Sequence, residues 1–506
     1  MMETVDLVIF HYHLMPGGIT TVIRHGVESL VRYSDRISRI RVVAGRIPKD
    51  EPPYAGAEIV HLPDIDYATV LPVGGVLWKE RAKRFADMLQ ERFGGDNAVW
   101  WVHNYHLGKN PLFTEALLLL AVDPRGPRLI LQPHDFPEAG RFRNLSLLDR
   151  LVSLPLYPQG PRVRYALINS RDYRMLRDAG IPESSLFLLE NPVAPPVEKR
   201  WTEDRRGLRA LLFPLADPLQ QTVLYPVRSI RRKNVLEAGM LLRLVDTPLR
   251  LVVTLPGVSK PEKEYSSLVE STFNSGLIPG EFGVGARRTD LRPEQLAAAC
   301  DIVVSSSVQE GFGYLFIQAL QWGLPLLARR LETIPDGAGL YDGYPAVFYD
   351  GLLCPLESTE RSGLLSRYRE KLRRIRGLLP DSVEERLDAE LSGMLARNAV
   401  DFSYLDVPLQ VRLLEAARGP DFRAVFTDLN RDLARDLDTL LNERPPARRK
   451  AVEERFGLSA YAGRVGRLLD SFGLAGPPTP GQSPIEVEQK VRDAFARAEH
   501  ARLLLD

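Results

Sequence analysis

The chain has few cysteines, no excess of charge and no long hydrophobic run, and each of these features argues against a class of protein. The 506 residues include two cysteines, Cys300 and Cys354. Two cysteines are too few for a disulfide scaffold, and their separation does not match a metal-binding motif. The 66 basic residues balance 65 acidic ones, whereas a duplex nucleic-acid binder would carry a basic excess. No apolar segment approaches the ~20 residues that cross a bilayer. We therefore expect a cytoplasmic globular protein with no nucleic-acid partner and no stable membrane insertion.

Two series of alternating strand and helix patterns predict the α/β fold class. The first series has apolar strand patterns at residues 5–10, 98–102 and 128–132, and the second series begins near residue 222 and includes the strand pattern 302–304. Strands that alternate with helices form parallel, doubly wound sheets. The chain is thus predicted to have two doubly wound Rossmann-like domains facing a cleft, joined by the proline-rich segment 191–197.

The C-terminal third of the chain is predicted to be helical and highly charged. Amphipathic patterns occur at residues 366–376, 382–396, 407–417, 422–441 and 485–505. We expect three regions: an acceptor-side domain at 1–194, a donor domain at 195–356, and a helical extension at 357–506. The extension is expected to pack on the donor domain, and its last helix could cross back to the first domain.

The segment 301–336 carries the most informative motif. A short apolar strand leads through Glu310, Gly311 and Gly313 into a helix, and Gln318 follows eight positions after Glu310. A strand that enters a helix through such a turn presents backbone N–H groups at the carboxyl edge of a parallel sheet, where anionic and hydroxyl-rich ligands bind. About two helical turns separate the carboxylate from the amide, so both could face one ligand. The segment predicts a site for a charged, polyhydroxylated molecule.

Two cations follow the first strand of the second series. Arg228 and Lys233 lie in the sequence VRSIRRKNV, where they would stand at the mouth of the same sheet. Arginine could hold a diphosphate through two parallel hydrogen bonds and lysine as a point charge. Taken alone, the segment is equally typical of a solvated basic loop.

Histidines cluster after the predicted strands of the first series. Five of the eight histidines fall within the first 134 residues in this way: His11, His13, His103, His106 and His134. Such side chains could line a substrate cleft, or they could hold the metal of a hydrolase. Since only His500 follows His134, a metal site would have to be completed within the first domain. The pair Asp64 and Asp66 resembles a metal-binding DxD motif but has no supporting pattern.

The ordered set of motifs resembles the retaining glycosyltransferases with the GT-B fold, in the large glycosyltransferase family 4-like group that includes sucrose-phosphate, trehalose and phosphatidylinositol-mannoside synthases. The matching residues are Glu310-Gly-Phe-Gly, Gln318-Ala, Gly323-Leu-Pro325 and the linker sequence NPV at 191–193. The family usually has a second glutamate where this chain has Gln318. An amide can still hydrogen-bond a ribose diol, though more weakly than a carboxylate.

The resemblance implies a metal-independent hexosyltransferase without a cofactor, whose partners are a nucleotide-diphosphate sugar and a small polar or anionic acceptor. The implied catalytic residues are Arg228, Lys233, Glu310 and His134; the donor-binding residues are Gly17, Gly18, Gly311, Phe312, Gly313, Tyr314 and Gln318; and the acceptor-side residues are His13, His103, Asn104, His106, Lys109, Asp135 and Arg141. Two alternatives stay open: a metal-dependent hydrolase built on the histidines, and a catalytically silent relative that binds nucleotide sugars.

Overall fold

The computed structural model describes residues 4–52, 54–68, 75–195, 205–213, 217, 220–334, 339–377, 381–473, 482–502 and 505. These residues form two compact units. Unit 1 consists of Met1–Pro195, Gly377–Val383 and Glu453–Ala496, and unit 2 consists of Pro196–Arg376, Glu384–Val452 and Arg497–Asp506. Part of the predicted linker, residues 196 and 197, lies outside the described residues.

Unit 1 is built on a seven-stranded parallel sheet with the strand order β3-β2-β1-β4-β5-β6-β7. Its strands are β1 (Val5–His13), β2 (Ile37–Arg46), β3 (Glu58–His61), β4 (Ala98–His103), β5 (Arg128–Gln132), β6 (Val163–Leu167) and β7 (Leu186–Leu188). Its first helices are α1 (Gly18–Tyr33), α2 (Val76–Phe93), α3 (Pro111–Val122), α4 (Phe142–Leu151) and α5 (Ser170–Ala179). Two 3-10 turns are Pro63–Ile65 and Glu183–Ser185.

The two faces of this sheet are covered by different helices, as the alternation along β1 shows. Phe10 belongs to one buried cluster and Ile9 to the other, because successive side chains of a strand point to opposite faces. Strand β1 continues three residues beyond the predicted 5–10, since its pairing with β2 extends to His13 opposite Arg46. His11 and His13 therefore lie within the strand and not after it.

Unit 2 is built on a six-stranded parallel sheet with the strand order β10-β9-β8-β11-β12-β13. Its strands are β8 (Gln221–Arg228), β9 (Leu249–Leu255), β10 (Gly280–Phe282), β11 (Ile302–Ser305), β12 (Leu326–Arg329) and β13 (Ala346–Tyr349). Its first helices are α6 (Arg205–Leu212), α7 (Val235–Leu241), α8 (Lys260–Asn274), α9 (Val284–Arg287), α10 (Pro293–Ala298) and α11 (Tyr314–Trp322). A 3-10 turn, Arg231–Lys233, precedes α7.

The rest of the chain is mainly helical and is divided between the units. A small antiparallel sheet pairs β14 (Leu353–Pro355) with β15 (Ala399–Asp401), and a 3-10 turn covers Phe402–Tyr404. The helices are α12 (Ser358–Arg374), α13 (Asp381–Leu395), α14 (Val407–Ala416), α15 (Pro420–Leu429), α16 (Arg431–Leu440), α17 (Arg449–Phe456), α18 (Leu458–Asp470), α19 (Pro484–Phe495) and α20 (Ala498–Ala501).

Helices α18 and α19 complete the core of unit 1. Tyr461 and Val465 of α18 belong to the cluster beside α1, and Val491 and Phe495 of α19 belong to the cluster on the opposite sheet face. The predicted α/β class with two doubly wound parallel sheets and C-terminal helices is confirmed. None of the helices in the described part of the chain is long and apolar enough to cross a membrane.

Candidate active site

In unit 2 the loops that carry Lys233 and Glu310 meet at the point where the strand order reverses. Strands β8 and β11 lie side by side, with β9 and β10 beyond one and β12 and β13 beyond the other. Ligands of open α/β sheets bind outside the carboxyl ends of the strands at such a switch point. The loop after β8 carries Lys233, and the loop after β11 carries Glu310. Segments that are 77 residues apart in sequence thus meet at this edge.

Lys233 and Glu310 are in direct contact. The Lys233 ammonium donates to Oε1 of Glu310, and both side chains are largely buried. Arg232 approaches the same carboxylate, with Nη1 3.4 Å from Oε2, and donates to the carbonyl oxygen of Gln309 at 2.9 Å. The backbone N–H of Val308 donates to the carbonyl oxygen of Arg232 at 2.9 Å. The two loops are therefore held together by side-chain and backbone bonds.

The charge of Glu310 is maintained by these neighbours. Burial alone raises the pKa of a carboxyl group, but the positive charges of Lys233 and Arg232 outweigh it, so the pKa of Glu310 is lowered. A lowered pKa keeps the carboxylate ionised at neutral pH. The site consequently presents a fixed anion beside two cations, a combination that suits a ligand with both hydroxyl groups and phosphates.

Arg228 and Gln318 stand apart from the Lys233–Glu310 pair. Arg228 ends β8 opposite Leu255, and its guanidinium group forms no hydrogen bond or ion pair with the residues that the structure describes. Its charge acts on Glu262 in the first turn of α8. Gln318 is half-buried in the second turn of α11, and within the described ranges its amide has no hydrogen-bond partner. Both side chains keep their polar groups available to a ligand.

The glycine turn before α11 is required by its geometry. Gly313 has φ +73°, and a Cβ at this position would lie 2.4 Å from Cδ1 of Ile334. Any other residue would be strained in both backbone and space. The neighbouring Phe312 is buried, and its ring centroid lies 5.1 Å from that of Tyr314. The motif residues Gly311 to Tyr314 thus form one compact turn at the start of the helix.

In unit 1 the structure brings His103, Asn104 and His134 together. Nδ1 of His103 lies 2.9 Å from Nε2 of His134, and the rings stack with centroids 5.2 Å apart. Asn104 has φ +54°, and its side-chain oxygen accepts hydrogen bonds from the backbone N–H groups of His134 and Asp135. Asparagine tolerates this left-handed conformation better than most residues. The turn after β4 therefore fixes the end of β5.

These histidines are neutral at physiological pH. Burial lowers the pKa of His134 to about 4 and of His106 to about 3, and it lowers the pKa of His103 well below its usual value. His134 has no partner for Nδ1 among the described residues, so this nitrogen can hydrogen-bond a ligand hydroxyl. His106 is fully buried against Tyr105, Phe136 and Tyr157, and neither ring nitrogen is hydrogen-bonded.

The burial of His106 predicts a specific acid sensitivity. With a folded pKa of about 3 and an ordinary unfolded pKa of about 6.5, the unfolded chain takes up a proton in this window that the folded chain does not. Stability is therefore lost as the pH falls. Between pH 7 and pH 5 the variant His106→Phe is expected to lose about 2 kcal/mol less unfolding free energy than the native chain. Urea unfolding at the two pH values measures the difference, and parallel pH dependences would contradict it.

A second group in unit 1 is rich in cations and aromatic rings. Nε2 of His13 lies 3.2 Å from the Tyr67 hydroxyl, and the Lys109 ammonium lies 5.1 Å from the centroid of the Tyr67 ring. Lys109 has no ion-pair partner among the described residues, and burial followed by the charge of Arg141 lowers its pKa. Arg141 itself pairs with Asp135 at 2.7 Å. A half-buried lysine without a carboxylate partner favours an anionic ligand.

The two glycines after β1 occupy the start of α1. Gly17 precedes the helix in an extended conformation, and Gly18 is its first residue. The helix has no side-chain cap and no acidic residue in its first turn, and both glycines are exposed. Unfilled backbone N–H groups at such a terminus attract anions.

Metal ligands are not clustered in the described ranges: no group of three or more His, Cys, Asp or Glu side chains there could hold a metal ion. Asp64 lies in the 3-10 turn before α2, and Asp66 pairs with Arg46 at 3.4 Å. The hydrolase alternative therefore has no ligand set within the described part of unit 1.

Several residues near these groups were not predicted. Arg232 and Asn234 flank Lys233, and Tyr67 and Arg46 accompany His13. The run of cations in IRRKN indicated charge but not which side chain reaches Glu310. Tyr67 gives no signal in the sequence, because its contact with His13 links residues 54 positions apart.

Comparisons with known proteins identify the family. No protein-family model matches the chain. Mannosylglucosyl-3-phosphoglycerate synthase of Petrotoga mobilis is 30% identical over 517 residues, an alignment that covers 99% of each protein. Anabaena HepE, solved with UDP and glucose, matches 92% of the chain with a TM-score of 0.50 and 14% identity. Sucrose-phosphate synthase of Thermosynechococcus elongatus matches 93% with a TM-score of 0.51 and 12% identity. The chain belongs to the GT-B glycosyltransferases and is an enzyme of this family.

Proposed function

We propose that the protein transfers a hexosyl group from a nucleotide-diphosphate sugar to a hydroxyl group of a small anionic acceptor, with retention of configuration and without a metal ion. The observation that carries the proposal is the Lys233–Glu310 pair at the switch point of unit 2, with Arg228 at the end of the adjoining strand. The pair combines the two chemistries that a sugar diphosphate requires, a cation for phosphate and a carboxylate for hydroxyls.

Arg228 and Lys233 would stabilise the leaving diphosphate. The bond between the anomeric carbon and the diphosphate oxygen breaks, and its electron pair passes to that oxygen. Charge that develops on a leaving group is stabilised best by preorganised cations in a site that excludes water. Since side-chain cations supply this charge, the proposed reaction has no step that needs a metal ion.

Retention follows if the acceptor attacks the face that the diphosphate leaves. The acceptor oxygen then bonds to the anomeric carbon, and its proton passes to the departing phosphate oxygen. No protein nucleophile is required. Glu310 would hold sugar hydroxyls, and His134, which is neutral and has Nδ1 unbonded within the described residues, would accept or donate one further hydrogen bond. Its role is to orient the sugar and not to act as a base.

The proposed acceptor is an anionic glycosyl-glycerate. The Petrotoga relative is named as the synthase of mannosylglucosyl-3-phosphoglycerate, a product that carries a phosphate and a carboxylate. Lys109, Arg141 and the exposed start of α1 are features of unit 1 that such a molecule could use. Burial removes water from the Lys109 ammonium, so a bound anion would compensate the positive charge that water no longer stabilises. This cation group supports an anionic acceptor over a neutral one.

A donor and acceptor panel tests the proposal. Thermal shifts are measured with UDP, GDP and ADP in the presence of EDTA, and one nucleotide is expected to stabilise the protein by about 3 kcal/mol at 100 times its dissociation constant. Turnover is then measured with the glucose and mannose conjugates of that nucleotide, using glucosyl-3-phosphoglycerate and glucose as acceptors.

Three outcomes of the panel would contradict parts of the proposal. An α-linked donor should give an α-linked product, read from the anomeric proton in NMR, and a β-linked product would exclude retention. Loss of turnover in EDTA, restored by a divalent ion, would exclude metal independence. Nucleotide binding without turnover on any acceptor would instead support a catalytically silent relative.

A further inference from the structure

Lys233 is followed by a turn that only a few residue types adopt. Asn234 has φ +49° and ψ +48°, and it separates the 3-10 turn Arg231–Lys233 from α7. It is one of two non-glycine residues with positive φ in the described part of the chain, the other being Asn104 in unit 1. Lys233 directly precedes Asn234, so the backbone conformation of Asn234 influences the orientation of the Lys233 side chain.

The Asn234 side chain is fully buried, and both its amide nitrogen and its amide oxygen form hydrogen bonds. Its amide nitrogen donates to Oε2 of Glu237 at 2.6 Å. Its side-chain oxygen accepts from Gln410 at 3.2 Å and from Arg231 at 3.3 Å. Its carbonyl oxygen accepts from the Ser306 hydroxyl at 3.0 Å, which links the turn to the loop after β11. A glycine would adopt this backbone equally well but would make none of the side-chain bonds.

Glu237 is anchored in turn to a buried charge network. Its Oε1 accepts from Arg329 at 2.6 Å and from the Tyr349 hydroxyl at 2.7 Å. Arg329 is fully buried and also forms two 2.8 Å bonds with Asp401. These hydrogen bonds hold the carboxylate of Glu237 in one place. Loss of a partner from such a buried network would leave a charge without compensation. The buried network thereby extends through Glu237 to Asn234, the residue next to Lys233.

We propose that Asn234 and Glu237 are positioning residues of the donor site, which connect the buried Arg329–Asp401 pair to the turn that directs the Lys233 ammonium toward Glu310 and the donor diphosphate. The inference rests on the proposed function, because it assumes that Lys233 acts on the diphosphate. Displacement of a catalytic group by about 1 Å can cost about 100-fold in rate even when the group itself is intact. The network would thus affect catalysis without touching the substrate.

A double-mutant cycle tests the positioning role. Asn234→Gly preserves the left-handed turn and removes the side-chain bonds, so it is expected to lower kcat about 10- to 100-fold. In a Lys233→Ala background the same change should lower kcat less than about twofold, because residues that act through one another are not additive. Glu237→Gln keeps the side-chain volume and leaves Arg329 paired with Asp401, so it is carried through the same cycle and covers the case in which Asn234→Gly fails to fold.

The outcomes separate this inference from the proposed function. Asn430 is another buried asparagine of unit 2, whose amide bonds backbone atoms of Leu353 and Phe426, and Asn430→Gly should lower the melting temperature without changing kcat. If Lys233→Ala leaves kcat intact, the proposed role of Lys233 is wrong. If Lys233→Ala is damaging and Asn234→Gly is equally damaging in both backgrounds, the positioning role alone is overturned.

Discussion

Replacement of Lys233 by alanine is expected to lower kcat/KM about 1000-fold, the largest effect we predict for a single substitution. A preorganised donor aimed at charge that develops in the transition state is worth about 100- to 1000-fold in rate, and Lys233 would face the leaving diphosphate directly. The loss should fall mainly on kcat, since the interaction strengthens as the diphosphate departs. Steady-state kinetics with the donor that the nucleotide panel selects measure both parameters.

Two control variants separate this role from a general effect of charge. Arg232 carries the same charge one position away, is a third exposed and is bonded to the Gln309 carbonyl, so Arg232→Ala should cost about tenfold or less. Lys233→Arg keeps a cation in place and should recover part of the rate, although the planar guanidinium cannot reproduce a point charge. A loss smaller than tenfold in Lys233→Ala would exclude Lys233 from leaving-group stabilisation.

Local patterns were sufficient to predict the two sheets and the sheet edge at which Lys233 and Glu310 meet. The strands that carry Glu310 and Lys233 are short, apolar and followed by turn residues, and parallel strands bring their carboxyl ends to one edge. The patterns therefore predict Glu310 and Lys233 at the same edge of the sheet. The structure places the two side chains in contact at this edge, and the functional role of each residue stays a prediction.

Features that depend on distant partners could not be predicted in the same way. Residues 422–441 were expected to form one helix, but α15 ends at Leu429 and α16 begins at Arg431. Asn430 interrupts them because its amide bonds the backbone of Leu353, 77 residues earlier. Asn234 and Glu237 were not predicted for the same reason, since their partners Gln410, Arg329 and Tyr349 are supplied by later elements. Periodicity within a window contains no information about such bonds.

Substitution of Glu310 by glutamine is expected to change sugar recognition and diphosphate recognition in opposite directions. The Glu310 carboxylate pairs with Lys233, and we expect a bound donor to draw Lys233 to the diphosphate and Glu310 to sugar hydroxyls. Glutamine has a similar shape but lacks the charge. We expect kcat/KM for the sugar nucleotide to fall about 100-fold, because charge-assisted hydrogen bonds are about twice as strong as neutral ones.

The same Glu310→Gln variant should bind the free nucleoside diphosphate at least as tightly as the native protein. Lys233 no longer has to leave a carboxylate, and the net positive charge around the phosphate site rises by one. Calorimetric titration with the diphosphate and with the sugar nucleotide gives the two affinities. Glu281→Gln, which removes a carboxylate paired with Arg250 and Arg287 elsewhere in unit 2, serves as the matched control and should change neither. If both affinities fall together in Glu310→Gln, Glu310 holds the loop and does not contact the sugar. A lower affinity for the sugar nucleotide together with an unchanged or higher affinity for the diphosphate is the result expected if Lys233 and Glu310 exchange each other for the donor.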